Sequence, residues 1–203
     1  MKIICIGRNY VEHIKELSNE VPSAPVFFMK PDTALLQKTQ PFFLPGFSKD
    51  IHHEIELVLR INRVGKNIPE EFAYRYFDEI TVGIDFTARD VQQYQKEKGL
   101  PWEPAKAFDG SAPVGEFIKL SELKNPDSIN FHLEINGKTV QEGSSDLMIH
   151  SFAKIISYVS KFVTIKKGDL IFTGTPKGVG AVKTDDELIG FLEGNQLLRV
   201  RVK

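Results

Sequence analysis

The sequence is short of cysteine, of long apolar runs and of any excess charge. A single cysteine, Cys5, in 203 residues excludes an intrachain disulfide framework. It lies in the apolar run KIICIG, where a small buried hydrophobe is expected rather than a nucleophile. No stretch reaches the roughly 20 apolar residues that a membrane-spanning helix needs. MKIICIG is too short for a signal peptide and runs straight into polar sequence. The expectation is a cytoplasmic protein with no membrane partner. Lys and Arg number 26 against 27 Asp and Glu, both signs interspersed, so the charge gives no reason to expect nucleic acid. Internal repeats, low-complexity linkers, cysteine ligand clusters and a His-Glu-x-x-His pattern are all missing from the sequence.

What remains is an ordinary globular composition, 41% hydrophobic and 26% charged, long enough for one domain with a sizeable core. Residues 2–6 read as a short strand, followed by a helix over NYVEHIKEL with Asn9 as its N-cap. APVFFMKP reads as a buried strand closed by Pro31, residues 51–61 as a long strand, residues 69–78 as a helix, and EITVGIDFTARD as a further strand. A helix from Arg89 to Lys98 should stop at Gly99. Two alternating runs joined by Asn136-Gly137 predict a hairpin. Phe152, Ile155, Ile156, Val159, Phe162 and Val163 mark the buried face of a helix begun by Ser145 or Asp146. LIFTG and QLLRVRV supply two more strands, and the sum is a β-rich α+β domain with a few short helices.

The stretch IHHEIELVLRI carries two acids. Alternation puts Ile51, His53, Ile55, Leu57, Leu59 and Ile61 on one face and His52, Glu54, Glu56, Val58 and Arg60 on the other. On its own, Glu-x-Glu is compatible with a solvated strand face. Asp85, inside the apolar run GIDFTARD, changes the balance, because a buried acid needs a cation or a metal. Two glutamates and an aspartate offer hard oxygen ligands suited to Mg²⁺ or Mn²⁺. His53 reads as core-facing and His52 as a neighbour of the acids.

Three further features carry possible chemistry. His13 and Glu16 are three apart on one helix face, where a carboxylate can orient an imidazole as a base; a plain surface pair has the same spacing. Lys106 in WEPAKAFDG follows a proline and precedes a turn. TGTPKGVG lacks the Gly-Lys-Ser/Thr ending of a nucleotide loop, yet it can bring Thr175 and backbone N–H groups to a small anion.

Taken in order, GRNYVEH, PVFFMKP, HHEIEL, GIDFTARDVQ, GLPWEPAKAFDGSAPVG, INGKTVQEGSSDLM and GDLIFTGTPKGVG closely resemble the fumarylacetoacetate hydrolase domain family. Within it, the chain is most similar to the acylpyruvate hydrolase and oxaloacetate decarboxylase branch. The resemblance implies one catalytic domain over residues 1–203, with a mixed β-roll or barrel-like core, usually a homodimer, and a lid at about 9–20. It implies Mg²⁺ or Mn²⁺ held by Glu54, Glu56 and Asp85, with Lys106 beside the metal. Arg89 and Thr175 match substrate-contacting positions, His13 and Glu16 the lid pair, and Lys30 and Gln141 positions lining the pocket. APVGE stands where many relatives have APVGP, and Ser145 where threonine is common; neither touches a proposed ligand. The implied activity is hydrolysis of a 3-acylpyruvate through a metal-bound pyruvate enolate. Oxaloacetate decarboxylation and the isomerisation or hydration of unsaturated 2-oxo acids are the alternatives. The expected partner is a small 2-oxo acid.

Overall fold

The computed structural model describes residues 1–16 and 20–203, and strands dominate it. Along the chain come β1 (Ile3–Gly7), α1 (Val11–Glu16), β2 (Val26–Lys30), β3 (Ile51–His53), β4 (Ile55–Ile61), β5 (Phe77–Ile84), β6 (Thr87–Ala88), α2 (Arg89–Lys98) and α3 (Glu103–Lys106). Then follow β7 (Ile118–Lys119), β8 (Asn130–Ile135), β9 (Lys138–Ser144), α4 (Phe152–Phe162), β10 (Leu170–Phe172), β11 (Gly180–Ala181), β12 (Glu187–Leu192) and β13 (Asn195–Arg201). They build a six-stranded sheet ordered β2-β1-β10-β4-β5-β7, a three-stranded sheet β11-β3-β6 and a four-stranded sheet β13-β12-β8-β9. This is the expected strand-rich roll. The three sheets wrap a shared core, and each is open at its edges.

Alternation in the central strands creates two apolar layers. Ile4, Ile6, Leu57, Leu59 and Ile171 join the large core between the sheets, while Ile3, Cys5, Val58, Leu170 and Phe172 form a second cluster on the opposite face. Covered on both faces, β4 is buried nearly throughout, so its second face is no solvated surface. The strand expected over residues 51–61 is interrupted at Glu54. Its first part pairs with β6 in one sheet, and its second part pairs with β5 and β10 in another. The partner chain breaks at the same level: Ile55 faces Ile84, His52 faces Thr87, and Asp85 N donates to Glu54 O at 2.8 Å. Both acids therefore sit where two neighbouring strands bend together from one sheet into the next.

Other expectations need correction. Residues 69–78 form a 3₁₀ stretch over Glu70–Tyr76 followed directly by β5. The strand β2 is half-buried rather than buried, as an edge strand is. The helix α4 begins after Ser151, whose side chain accepts from Lys154 N, while Ser145–Leu147 is a separate 3₁₀ turn. Ile155, Ile156 and Val159 of α4 are fully buried, each worth about 1.5–3 kcal/mol relative to exposure. Phe162 lies exposed at its end. The strand β12, which was not anticipated, pairs with both β8 and β13.

The hairpin turn at Asn136-Gly137 has φ of 51° and 76°, the left-handed pair a two-residue connection requires. The helix α2 has the anticipated bounds. Asn9 is no N-cap. It is buried, donates to His150 O and Thr173 O, and accepts from His150 N, tying the start of α1 to two distant segments. Leu17 of the expected helix, and residues 17–19 of the expected lid, lie outside the described residues.

Candidate active site

The sheet geometry brings Glu54, Glu56 and Asp85 together. All three are buried, and one carboxylate oxygen from each lies within 4.8 Å of the others. Glu56 arrives on β4 opposite Gly83, and the chain leaving β10 runs on beside it. Thr173 N donates to Leu57 O, Gly174 N to Glu56 Oε2 at 2.7 Å, and Thr175 Oγ1 to Ile55 O at 2.8 Å. Gly174 adopts φ of +103°, and a Cβ there would meet Asn9 Cβ at 2.7 Å, so only glycine permits this approach.

Three cations balance the acids. Lys106 Nζ, delivered by the short helix α3, donates to Glu54 Oε2 at 2.7 Å, Asp85 Oδ2 at 2.8 Å and Thr87 Oγ1 at 2.6 Å. Arg89, the first residue of α2, donates through Nη2 to Glu54 Oε1 at 2.6 Å and through Nη1 to Gln92 Oε1 at 2.7 Å. Lys30 Nζ lies 2.8 Å from Asp85 Oδ1, but its hydrogen bonds go to Lys106 O, Ser111 O and Ser111 Oγ. Asp85 Oδ1 is thus buried and ion-paired, with no hydrogen bond among the described residues.

The charges respond accordingly. Burial opposes ionisation of Glu54, but Lys106 and Arg89 outweigh it and hold its carboxyl well below the usual range. Glu56 goes the other way: burial, then the charges of Asp85 and Glu54, push it up. Burial works against the Lys106 ammonium, and Asp85 and Glu54 more than restore it. Of the three acids only Glu56 is in no ion pair among the described residues: it accepts from Gly174 N and is driven upward by its neighbours. The all-oxygen donor set fits a hard divalent cation such as Mg²⁺ or Mn²⁺.

Above the acids opens a small, partly open cleft with a cavity volume of about 50 Å³. Glu54, Glu56, Asp85, Arg89, Lys106, Thr175 and His13 all line it. His13 Nδ1 lies 3.2 Å from Glu16 Oε2, and the Glu16 carboxylate also accepts from Gly178 N, which fastens α1 to the Gly-rich loop. Lys30 and Gln141 do not line the cleft. Lys30 is packed behind Asp85. Gln141 spends its whole amide on scaffold: Oε1 accepts from Ile55 N at 3.0 Å and from His53 Nδ1 at 2.8 Å, and Nε2 donates to Thr175 Oγ1 and Pro176 O. Sequence spacing could not foresee this, because the partners of Gln141 are 34 to 88 residues away. His53 is buried as expected, whereas His52 pairs with Asp50 through Nε2. Arg8, Phe28, Gln92, Lys96 and Trp102 line the cleft without having been singled out. Gln92 and Lys96 carried a signal, since they stand i+3 and i+7 from Arg89 on one face of α2.

The fold and site define a strand-rich protein with a buried carboxylate triad under a cationic cleft. Residues 2–202 match the model of the fumarylacetoacetate (FAA) hydrolase C-terminal domain, and the chain belongs to that enzyme family. It is 44% identical to the rat (Rattus norvegicus) mitochondrial oxaloacetate tautomerase FAHD1 over 99% of this chain and 91% of that protein. It is 42% identical to a mitochondrial oxaloacetate decarboxylase of Dictyostelium discoideum over 90% of this chain and 84% of that protein. Its structure is similar to a fumarylpyruvate hydrolase from Pseudomonas aeruginosa in complex with Mn²⁺ and pyruvate, with a TM-score of 0.93 and 38% identity, covering 100% of this chain and 89% of that one. No described helix is long and apolar enough to cross a membrane.

Proposed function

We propose that the protein is a Mg²⁺- or Mn²⁺-dependent hydrolase of 3-acylpyruvates, cleaving them to a carboxylate and pyruvate. The observation that carries this reading is the His13–Glu16 pair in the same cleft as the carboxylate triad. Glu54, Glu56 and Asp85 would hold a divalent cation, which when bound would supply Lewis-acid polarisation to a 2-oxo acid. Glu16 accepts from His13 Nδ1, which fixes the proton there and leaves Nε2 as the basic nitrogen. His13 takes a proton from water, and the hydroxide adds to the distal carbonyl. The C–C bond then breaks with its electron pair passing to the enolate of pyruvate, and the imidazolium returns the proton to C3. Lys106 and Arg89 give the cleft floor the positive potential that a developing enolate requires. Thr175, its hydroxyl committed to Ile55 O and Gln141, shapes the wall that the substrate carboxylate meets. This reading takes residues 1–203 as one catalytic domain, working as a homodimer in the cytoplasm.

A second reading is decarboxylation of oxaloacetate, which passes through the same pyruvate enolate without an attacking water, or tautomerisation of oxaloacetate, in which a base moves a proton at C3 and no C–C bond breaks. It is favoured by the relatives named for those activities and by the cationic side chains Arg8 and Lys96 on the cleft. Acetylpyruvate and oxaloacetate turnover, each measured with Mg²⁺ before and after EDTA, tests both. Undiminished activity after rigorous metal removal would sink the metal requirement. His13→Ala should lower hydrolysis by about 10²–10⁴-fold, the usual worth of a general base, and lower decarboxylation less. Equal loss of both would remove His13 from the role of water base.

A further inference from the structure

The edge strand β9 is exposed or half-buried along its length except at Gln141, which is 2% exposed. An apolar residue is the ordinary occupant of such a position. Gln141 instead fills all four hydrogen-bonding places of its amide. Its orientation is fixed at both ends. Ile55 N can only donate to Oε1, and Pro176 O can only accept from Nε2, so a reversed amide would set like against like. With Oε1 an acceptor, His53 Nδ1 is the donor of their 2.8 Å contact. With Nε2 donating to Thr175 Oγ1, the one proton of that hydroxyl goes to Ile55 O. The two ends of the amide thus serve different segments. His53 closes β3 and Ile55 opens β4, so the carbonyl holds the residues on either side of Glu54, an acid of the triad. The N–H groups hold the Gly-rich loop, where Thr175 lines the cleft. That loop lies flush on β9: a Cβ on Gly178, at φ of +95°, would stand 2.5 Å from Val140 O. Gln141 does not line the cleft, so it acts there only through its partners.

We propose that Gln141 is a positioning residue with two separable arms. Its carbonyl sets the chain break that aims Glu54 at the cation site, and its N–H groups set Thr175 on the cleft wall. The first arm rests on the triad as a cation site alone; the second rests on the reading of the cleft as a 2-oxo acid site.

Two affinities separate the arms. Mn²⁺ binding is read from the electron paramagnetic resonance of the free ion. Binding of pyruvate, the proposed product, at saturating Mn²⁺ is read from Trp102, the chain's one tryptophan, which lines the cleft. Gln141→Met removes both arms and should weaken Mn²⁺ by about 10–100-fold, the usual worth of a partner that orients a ligand. Gln141→Glu keeps an acceptor towards Ile55 and His53, but sets a second oxygen against Pro176 O and draws the Thr175 proton away from Ile55. Its Mn²⁺ affinity should fall by less than about threefold while its pyruvate affinity falls at least about fivefold, a hydrogen bond's worth. Thr175→Val should lose pyruvate affinity to the same extent, and Gln141→Glu/Thr175→Val no more than either alone. A packing role alone would lower both affinities together with the melting temperature in every Gln141 variant. Should Gln141→Met fail to fold, Gln141→Glu decides by itself. Mn²⁺ and pyruvate affinities that fall together in Gln141→Glu, or that both stay at the wild-type value, overturn the assignment, as does a wild type that binds neither. Turnover of acetylpyruvate and oxaloacetate by the wild type is measured alongside. If neither is turned over while the two affinities separate as expected, the reaction fails and the positioning role stands. If both are turned over and the affinities do not separate, the positioning role fails and the reaction stands.

Discussion

Replacing Lys106 by Met keeps the side-chain stem, including its packing near Phe28, and deletes the charge at the centre of the acid cluster. Lys106 is only 3% exposed, and its three hydrogen bonds of 2.6 to 2.8 Å reach Glu54, Asp85 and Thr87. Losing one partner of a buried ion pair typically costs about 3–5 kcal/mol, because the other is left uncompensated. For a chain of this length 1 kcal/mol moves the melting temperature by about 2–4 °C, so Lys106→Met in EDTA should melt roughly 6–20 °C below the wild type. The deficit should depend on pH. Without the ammonium, Glu54 loses the strongest charge that holds its carboxyl down and, still buried, keeps its proton to higher pH than in the wild type. The variant's deficit is then smallest at low pH and grows as pH rises, so the gap narrows from pH 8 towards pH 5. A divalent cation should close part of the gap. At one hundred times its dissociation constant a ligand stabilises by about 2.7 kcal/mol, and the variant's acids bind it without an internal ammonium in competition. Scanning calorimetry of both proteins at pH 8 and pH 5, with EDTA and then with Mn²⁺, reads all three effects. A loss below about 1 kcal/mol at pH 8, with no larger response to Mn²⁺ than the wild type, would refute the account of Lys106 as counter-ion of the triad.

Asn9→Ala removes three buried hydrogen bonds and should destabilise by about 3 kcal/mol, read as a lower urea midpoint; a change under about 1 kcal/mol would mean that the tether is dispensable. Gly174→Ala forces a Cβ against Asn9 at a left-handed φ and displaces the N–H that Glu56 accepts, so both thermal stability and turnover should fall, by at least about 2 kcal/mol in stability. Cys5 is fully buried, and burial followed by the charge of Asp85 raises its thiol well above the ordinary value. The native protein should therefore resist a thiol-directed disulfide reagent and react only on unfolding. Above the unfolded thiol's pKa of about 8.5 only the unfolded state loses this proton, so stability should decline with rising pH, and Cys5→Ala should flatten that decline.

Features with a local cause were legible in the chain. The helix α2 begins at Arg89 and ends before a left-handed Gly99, as its cap chemistry dictates, and Asn136-Gly137 closes its hairpin by backbone preference alone. The acids Glu54, Glu56 and Asp85 could be picked out because charge inside an apolar run demands a partner. Their convergence was suggested, and the fold supplies it. Two of the misjudged features share one cause, that their partners are remote in sequence. Alternation over residues 51–61 describes one strand, yet β3 and β4 belong to different sheets because β6 and β5 claim them separately. Asn9 has the composition of a helix cap and spends its amide on His150 and Thr173 instead.

Sequence by itself determined the residue types of the site, their order and the alternation that sends acids and apolar residues to opposite faces, since those follow from covalent geometry and charge. Tertiary structure alone decided that both faces are buried, that Lys30 and Gln141 serve as scaffold, and that Arg8 and Lys96 join the cleft. Those outcomes depend on which distant backbone donors and acceptors lie within about 3 Å, and in a buried site it is the pairing of each polar group that sets its role.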